Sequence, residues 1–216
     1  QLSTIFYLIY PYLFGHSLFN IKDIPFLSVW LICTFLFIKI LKTLFKKQKI
    51  LKKHLIYLSI STAYLLSIRI SGVLIFLHYL VFILILLNQS NSNFFDFLKK
   101  NFKEIIIFLS LTFILFIALQ PSYWSNPLLI FTGIKSMSQH IQTVCTITLG
   151  ECMPAQNLPS TYLLIWFFFK LPLIIIFSLG LYFFVEKKLQ KLKFSNLILS
   201  SLFFSTILIL ILLILF

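Results

Sequence analysis

Acidic residues are scarce in this chain: 216 residues hold 5 Asp and Glu against 18 Lys and Arg, and charged residues of both signs make up only 11%. With 60% hydrophobic residues, 27 of them Phe, and a mean hydropathy of +1.04, too little polar surface remains to cover a soluble globule. Glycine is equally sparse, at 5 residues, while Leu, Ile and Phe abound. That balance suits helices, because a spanning segment must satisfy its own backbone hydrogen bonds and only helices or closed barrels do so. The apolar runs are far longer than the roughly ten alternating residues of a barrel strand. Among 3 cysteines and 4 histidines, no spacing resembles a zinc site. No internal repeat, soluble domain or cleavable signal peptide is visible. The composition describes an all-α, polytopic integral membrane protein.

Hydropathy marks about seven apolar segments, at 2–14, 24–45, 54–68, 71–87, 105–118, 161–185 and 197–216. The third and fifth are short, reaching only about 20–25 Å at 1.5 Å per residue, so local thinning or half-buried ends are expected. Lysines orient the array. Lys39, Lys42, Lys46, Lys47, Lys49, Lys52 and Lys53 follow the second segment, Lys99, Lys100 and Lys103 the fourth, and Lys187, Lys188, Lys191 and Lys193 the sixth. Alternate loops put all three groups on one side, which the positive-inside rule assigns to the cytoplasm. The net charge of +13 is then a topology signal and a contact for anionic membrane lipids. It does not indicate nucleic acid, since the basic runs lack interleaved stacking aromatics in a soluble module.

The opposite side receives the loop around His16 to Asp23, the turn at Arg69 to Gly72, and an outer loop over 119–160. Roughly forty residues is well beyond an ordinary connector, and the loop is read as functional. Within it, Ser125-Asn126-Pro127 signals a helix start, followed by Ile130, Ile134, Met137, Ile141 and Val144 at helical spacing. An amphipathic helix in the outer interface is expected there. Cys145 and Cys152 lie further along the loop, with Gly150 suited to a turn between them. Spacing leaves a disulfide and two free thiols equally open. Cys33, inside a span, reads as packing.

A few ionisable residues stand out against this background. Asp23 opens the second segment with His16, Asn20 and Lys22 crowded beside it, and a carboxylate next to hydrocarbon costs several kcal/mol unless it is used or paired. It also fits as the N-cap of that helix, with Pro25 in the first turn and Lys22 available to neutralise it. Arg69 offers a guanidinium fork matching a phosphate, or else snorkels to the interface. Lys170 lies inside the sixth segment just before Pro172. His140 falls on the interfacial helix, where it can meet a polar substrate. His54 and His78 read as structural. Together, the cations at the outer side suit an anionic lipid headgroup.

The stretch Tyr10-Pro-Tyr-Leu-Phe-Gly-His-Ser-Leu-Phe-Asn-Ile-Lys-Asp-Ile-Pro-Phe26 resembles the helix-start motif of bacterial glycosyltransferases with the GT-C fold, the superfamily of protein O-mannosyltransferases and lipid A aminoarabinose transferases. Arg69-Ile-Ser-Gly72, Pro121-Ser-Tyr-Trp-Ser-Asn-Pro127, Leu149-Gly150, Leu158-Pro-Ser-Thr-Tyr162 and Lys170-Leu-Pro172 resemble later features of that family, in order, over most of the chain. The resemblance implies a GT-C-like fold and transfer of a sugar from a polyprenyl-phosphate-linked donor to a glycan, lipid or protein acceptor on the extracytoplasmic side of a bacterial inner membrane. It implies Asp23 as a supporting acidic residue of the active site, with the main catalytic base in a first outer loop. Arg69 and Lys170 would hold the donor phosphate, with His16, Asn20, Lys22 and His140 as further substrate-binding candidates.

The first-loop acidic motif is absent from this sequence. The chain therefore reads as one transmembrane domain, 1–216, belonging to a longer GT-C domain with the base upstream. No pattern calls for a cofactor; a divalent metal is compatible with the chemistry and not indicated by the residues. A transporter or flippase component for a lipid-linked or anionic solute is the rival reading. Transporters commonly show paired interrupted helices in repeated halves, which this chain lacks.

Overall fold

The computed structural model describes residues 15, 18, 21–45, 52–91, 93–126, 128–138, 145–148 and 150–154, isolated positions from 159 to 198, and 201–208. The chain divides into two compact units, Gln1–Ile130 and Phe131–Phe216.

In the first unit, α1 spans Asp23–Phe45, α2 Lys52–Ile68, α3 Leu74–Gln89, α4 Phe94–Lys100 and α5 Phe102–Leu119. A 3₁₀ turn at Ile70–Val73 joins α2 to α3, and another at Pro121–Tyr123 follows α5. Three of these stretches, Asp23–Leu44, Ile70–Asn88 and Phe102–Leu119, are long and apolar enough to cross a membrane. The last overturns the expectation of a short fifth segment. Asn101 ends α4 by donating from Nδ2 to the Phe97 carbonyl at 2.8 Å, and its own carbonyl accepts the Ile105 N–H at 3.0 Å, so α5 starts at once and takes in Phe102, Lys103 and Glu104. Its 18 residues reach about 27 Å. At 17 residues α2 is a little shorter, and it opens with Lys52, Lys53 and His54.

The least apolar of the long helices has the most central place, since α2 packs closely against both α1 and α5. Small residues make this possible: Ser59, Thr62 and Ala63 on α2 are fully buried, opposite Cys33 on α1 and Thr112 on α5. In hydrocarbon there is little hydrophobic drive between helices, so close backbone approach and shared hydrogen bonds hold them together. Ser59 Oγ donates to Leu55 O at 3.0 Å and lies 3.4 Å from Phe108 O on α5, while Thr112 donates to that same carbonyl at 2.7 Å. The hydroxyls are thereby satisfied without water.

By contrast, α3 is held off by large side chains. Phe37 stacks on Tyr79 at 4.2 Å, and Phe76 and Tyr79 both meet Phe108 near 6 Å. The 3₁₀ turn ahead of α3 makes a close backbone approach at Gly72, where a Cβ would sit 3.0 Å from the Leu65 carbonyl oxygen.

Chain direction sets the two ends. Both α1 and α3 run away from the Asp23–Arg69 end, and α2 and α5 run toward it, as the ion pair and the 3.0 Å bond from Gln120 Nε2 to Ser67 O require. Lys39, Lys42, Lys52, Lys53, Lys99, Lys100 and Lys103 consequently lie, exposed, at or near the other end, together with Asp96 and Glu104.

A further helix, α6, spans Leu129–Ser138. Asn126 starts it, accepting the Leu128 N–H on Oδ1 and the Leu129 N–H on its carbonyl, both at 3.1 Å, as the Ser-Asn-Pro signal predicts. In the second unit, β1 (Cys145–Thr148) and β2 (Glu151–Pro154) form an antiparallel hairpin pairing Ile147 with Cys152 and Thr148 with Glu151. Gly150 turns it with φ +88°, a conformation that disfavours a side chain. Cys152 is disulfide-bonded and Cys33 is a free, buried thiol. Residues 201–208 are helical, with Ser201 and Ser205 fully buried.

Candidate functional site

Asp23 is the first residue of α1, and the Lys22 carbonyl ahead of it accepts the Phe26 N–H at 3.1 Å. A carboxylate in the first turn is favoured by the helix dipole, and Pro25 is tolerated there because first-turn N–H groups have no intrahelical partner. Arg69 stands in extended conformation between α2 and the 3₁₀ turn, with φ −148° and ψ 137°. Its backbone bonds on both sides, donating to Leu65 O at 3.3 Å and accepting from Gly72 N at 2.9 Å. The guanidinium donates from Nη1 to Asp23 Oδ1, forming an ion pair between residues 46 apart. The two side chains are 47% and 45% exposed, so the pair stays in reach of solvent or headgroups.

Two of the residues picked from the sequence, Asp23 and Arg69, are thus each other's partners. Sequence reasoning offered Lys22 as the charge beside Asp23 and a phosphate as the anion for Arg69; the pairing across two helices was not legible. Lys22 is exposed in the turn before α1. His16, Asn20, His140 and Lys170 lie outside the described residues.

Around the pair, the loop after α5 closes the same end. Gln120 reaches Ser67 O, and the Trp124 indole N–H donates to Ile117 O at 2.9 Å while the residue stays 65% exposed. An exposed Trp with a satisfied N–H is at home at a membrane interface.

A second polar group of residues lies deeper, and the sequence reading took two of its members, His78 and Cys33, as structural packing. Trp30 follows Asp23 by seven residues, two turns along the same face of α1, and its ring stacks on His78 of α3 at 5.8 Å and 13°. Farther along, Thr62 Oγ1 lies 3.4 Å from Tyr79 Oη and 3.9 Å from Cys33 Sγ. The signal available beforehand was a histidine within Leu-Ile-Phe-Leu-His-Tyr-Leu-Val-Phe, where imidazole has no obvious partner. Among the described residues, no group of His, Cys, Asp and Glu is arranged to hold a metal ion.

Comparison with protein-family models, curated proteins and solved structures finds no match to this chain.

Proposed function

We propose that the chain is part of a membrane glycosyltransferase that uses a polyprenyl-phosphate sugar as donor, with the Asp23–Arg69 end of the bundle facing the extracytoplasmic side. The observation that carries this reading is the half-exposed ion pair at one end of an apolar bundle, opposite the exposed lysines. The positive-inside rule supports the orientation. The motif resemblance described above supplies the reaction class.

In this reaction an acceptor hydroxyl attacks the anomeric carbon of the donor sugar. The bond from that carbon to the phosphate oxygen breaks, polyprenyl phosphate leaves as an anion, and the hydroxyl proton passes to a carboxylate base. Arg69 is suited to the leaving phosphate, because a guanidinium has five N–H donors in a planar fork and Asp23 engages it at Nη1. Asp23 holds that fork in place and keeps the site from carrying an uncompensated cation before donor binds. Lys170 and His140 remain candidates for the donor phosphate and a polar substrate group, with His16, Asn20 and Lys22 close to Asp23 in sequence.

The test is transfer of radiolabelled sugar from polyprenyl-phosphate mannose, glucose and aminoarabinose by full-length protein in lipid nanodiscs. Arg69→Ala should lower transfer by orders of magnitude, and Arg69→Lys should lower it as well, because Lys keeps the charge but loses the fork. Full transfer by both variants would remove Arg69 from the site, and absence of transfer by the parent with all three donors would sink the transferase reading.

A further inference from the structure

The imidazole of His78 is 2% exposed, and neither Nδ1 nor Nε2 has a hydrogen-bond partner. An uncharged imidazole carries one N–H donor and one acceptor. Leaving both unmade in hydrocarbon is costly, and buried polar groups in native structures find a protein, water or ligand partner. Among the described residues, its ring neighbours provide none: Trp30 stacks on one face and Phe82 packs at 6.5 Å. The site lies between α1 and α3, which are spaced apart by aromatic side chains rather than packed backbone to backbone. It sits about 10 Å along α1 from Asp23, by a rise of 1.5 Å per residue over seven residues. Trp30, stacked on His78, is itself only partly buried.

From this we infer that His78 is a binding residue whose partner is a hydroxyl. Each ring nitrogen needs a partner of its own, and a hydroxyl serves whichever it meets, accepting from the N–H or donating to the bare nitrogen; water or the hydroxyl of a sugar-bearing lipid has that chemistry. The site stands on burial and the two unmet ring atoms, and does not depend on the transferase reading.

Thermal unfolding of the full chain in nanodiscs tests the inference, comparing parent, His78→Phe and His78→Gln. If the ring were dry and unsatisfied, His78→Phe would remove the unmet atoms and raise Tm by several degrees, and that result overturns the proposal. With a hydroxyl bound, His78→Phe lowers Tm or leaves it unchanged. Octyl β-glucoside, below its micelle concentration and against octyl sulfobetaine as control, separates the two sources. A Tm rise specific to the glucoside, lost in His78→Phe and partly kept in His78→Gln, assigns a ligand hydroxyl; no specific rise assigns water. Should His78→Phe fail to fold, His78→Leu takes its place in the Tm comparison: a rise of several degrees overturns the proposal, and a lower or unchanged Tm supports it.

Discussion

Breaking the ion pair between Asp23 and Arg69 tests the central feature of the bundle end, and its magnitude follows from exposure. Two unit charges about 4 Å apart attract by about 1 kcal/mol in bulk water and about 4 kcal/mol at an effective dielectric of 20. Exposed pairs measured by double-mutant cycles give about 0.2–1 kcal/mol. With side chains 47% and 45% exposed, this pair belongs near the upper end of the exposed range, at about 1 kcal/mol of coupling. Asp23 makes further interactions, so the single change overstates the pair and a cycle is required. The variants are Asp23→Asn, Arg69→Ala and the double, unfolded thermally in nanodiscs at low and high salt. For a chain of this size about 1 kcal/mol shifts Tm by about 2–4 °C, and salt should shrink the coupling. Exchanging the charges with Asp23→Arg and Arg69→Asp should restore part of the stability. Recovery is incomplete because a cation then sits at the start of α1, against the helix dipole. Transfer activity should stay lost in the exchanged protein, which separates folding from chemistry. If Arg69→Ala costs the same Tm in the parent and in the Asp23→Asn background, the two residues are uncoupled and the described end of the bundle is wrong.

Other outcomes follow from particular positions. Gly72→Ala places a Cβ 3.0 Å from the Leu65 carbonyl oxygen and 3.2 Å from its carbonyl carbon, backbone that cannot easily give way. It should destabilise by about 1–3 kcal/mol, read as a lower Tm. Cysteines introduced at Ser122, after α5, and at Asn91, after α3, lie at opposite ends; an impermeant maleimide on intact cells should label Ser122→Cys and spare Asn91→Cys, and the reverse pattern would invert the proposed orientation. Denatured, unreduced protein should take up one maleimide, at Cys33, and reduced protein three, counted by mass; three before reduction would mean the hairpin cysteines are free.

Apolar length and the few turn signals were enough to locate α1, α3 and the start of α6. A helix in hydrocarbon has no alternative way to satisfy its backbone, so runs of Leu, Ile and Phe report helices almost directly. The Ser-Asn-Pro start and the turn at Gly150 were legible for the same reason: local backbone geometry is decided by local residues. The lower boundary of α5 was not, because Lys103 and Glu104 depress hydropathy while Asn101 sets the helix start through its own hydrogen bonds. Nor did composition foretell that α2, rich in Ser and Thr and opening with two lysines, would hold the centre; close packing rewards small side chains that hydropathy scores as weak. Asp23 and Arg69 were each conspicuous as charges beside apolar runs. Only the antiparallel packing of α1 against α2 brings the start of one helix to the end of the other, and so turns two isolated charges into a pair. The solitude of His78 is likewise a tertiary fact, since whether an imidazole in an apolar run finds a partner depends on which faces of α1 and α3 meet it.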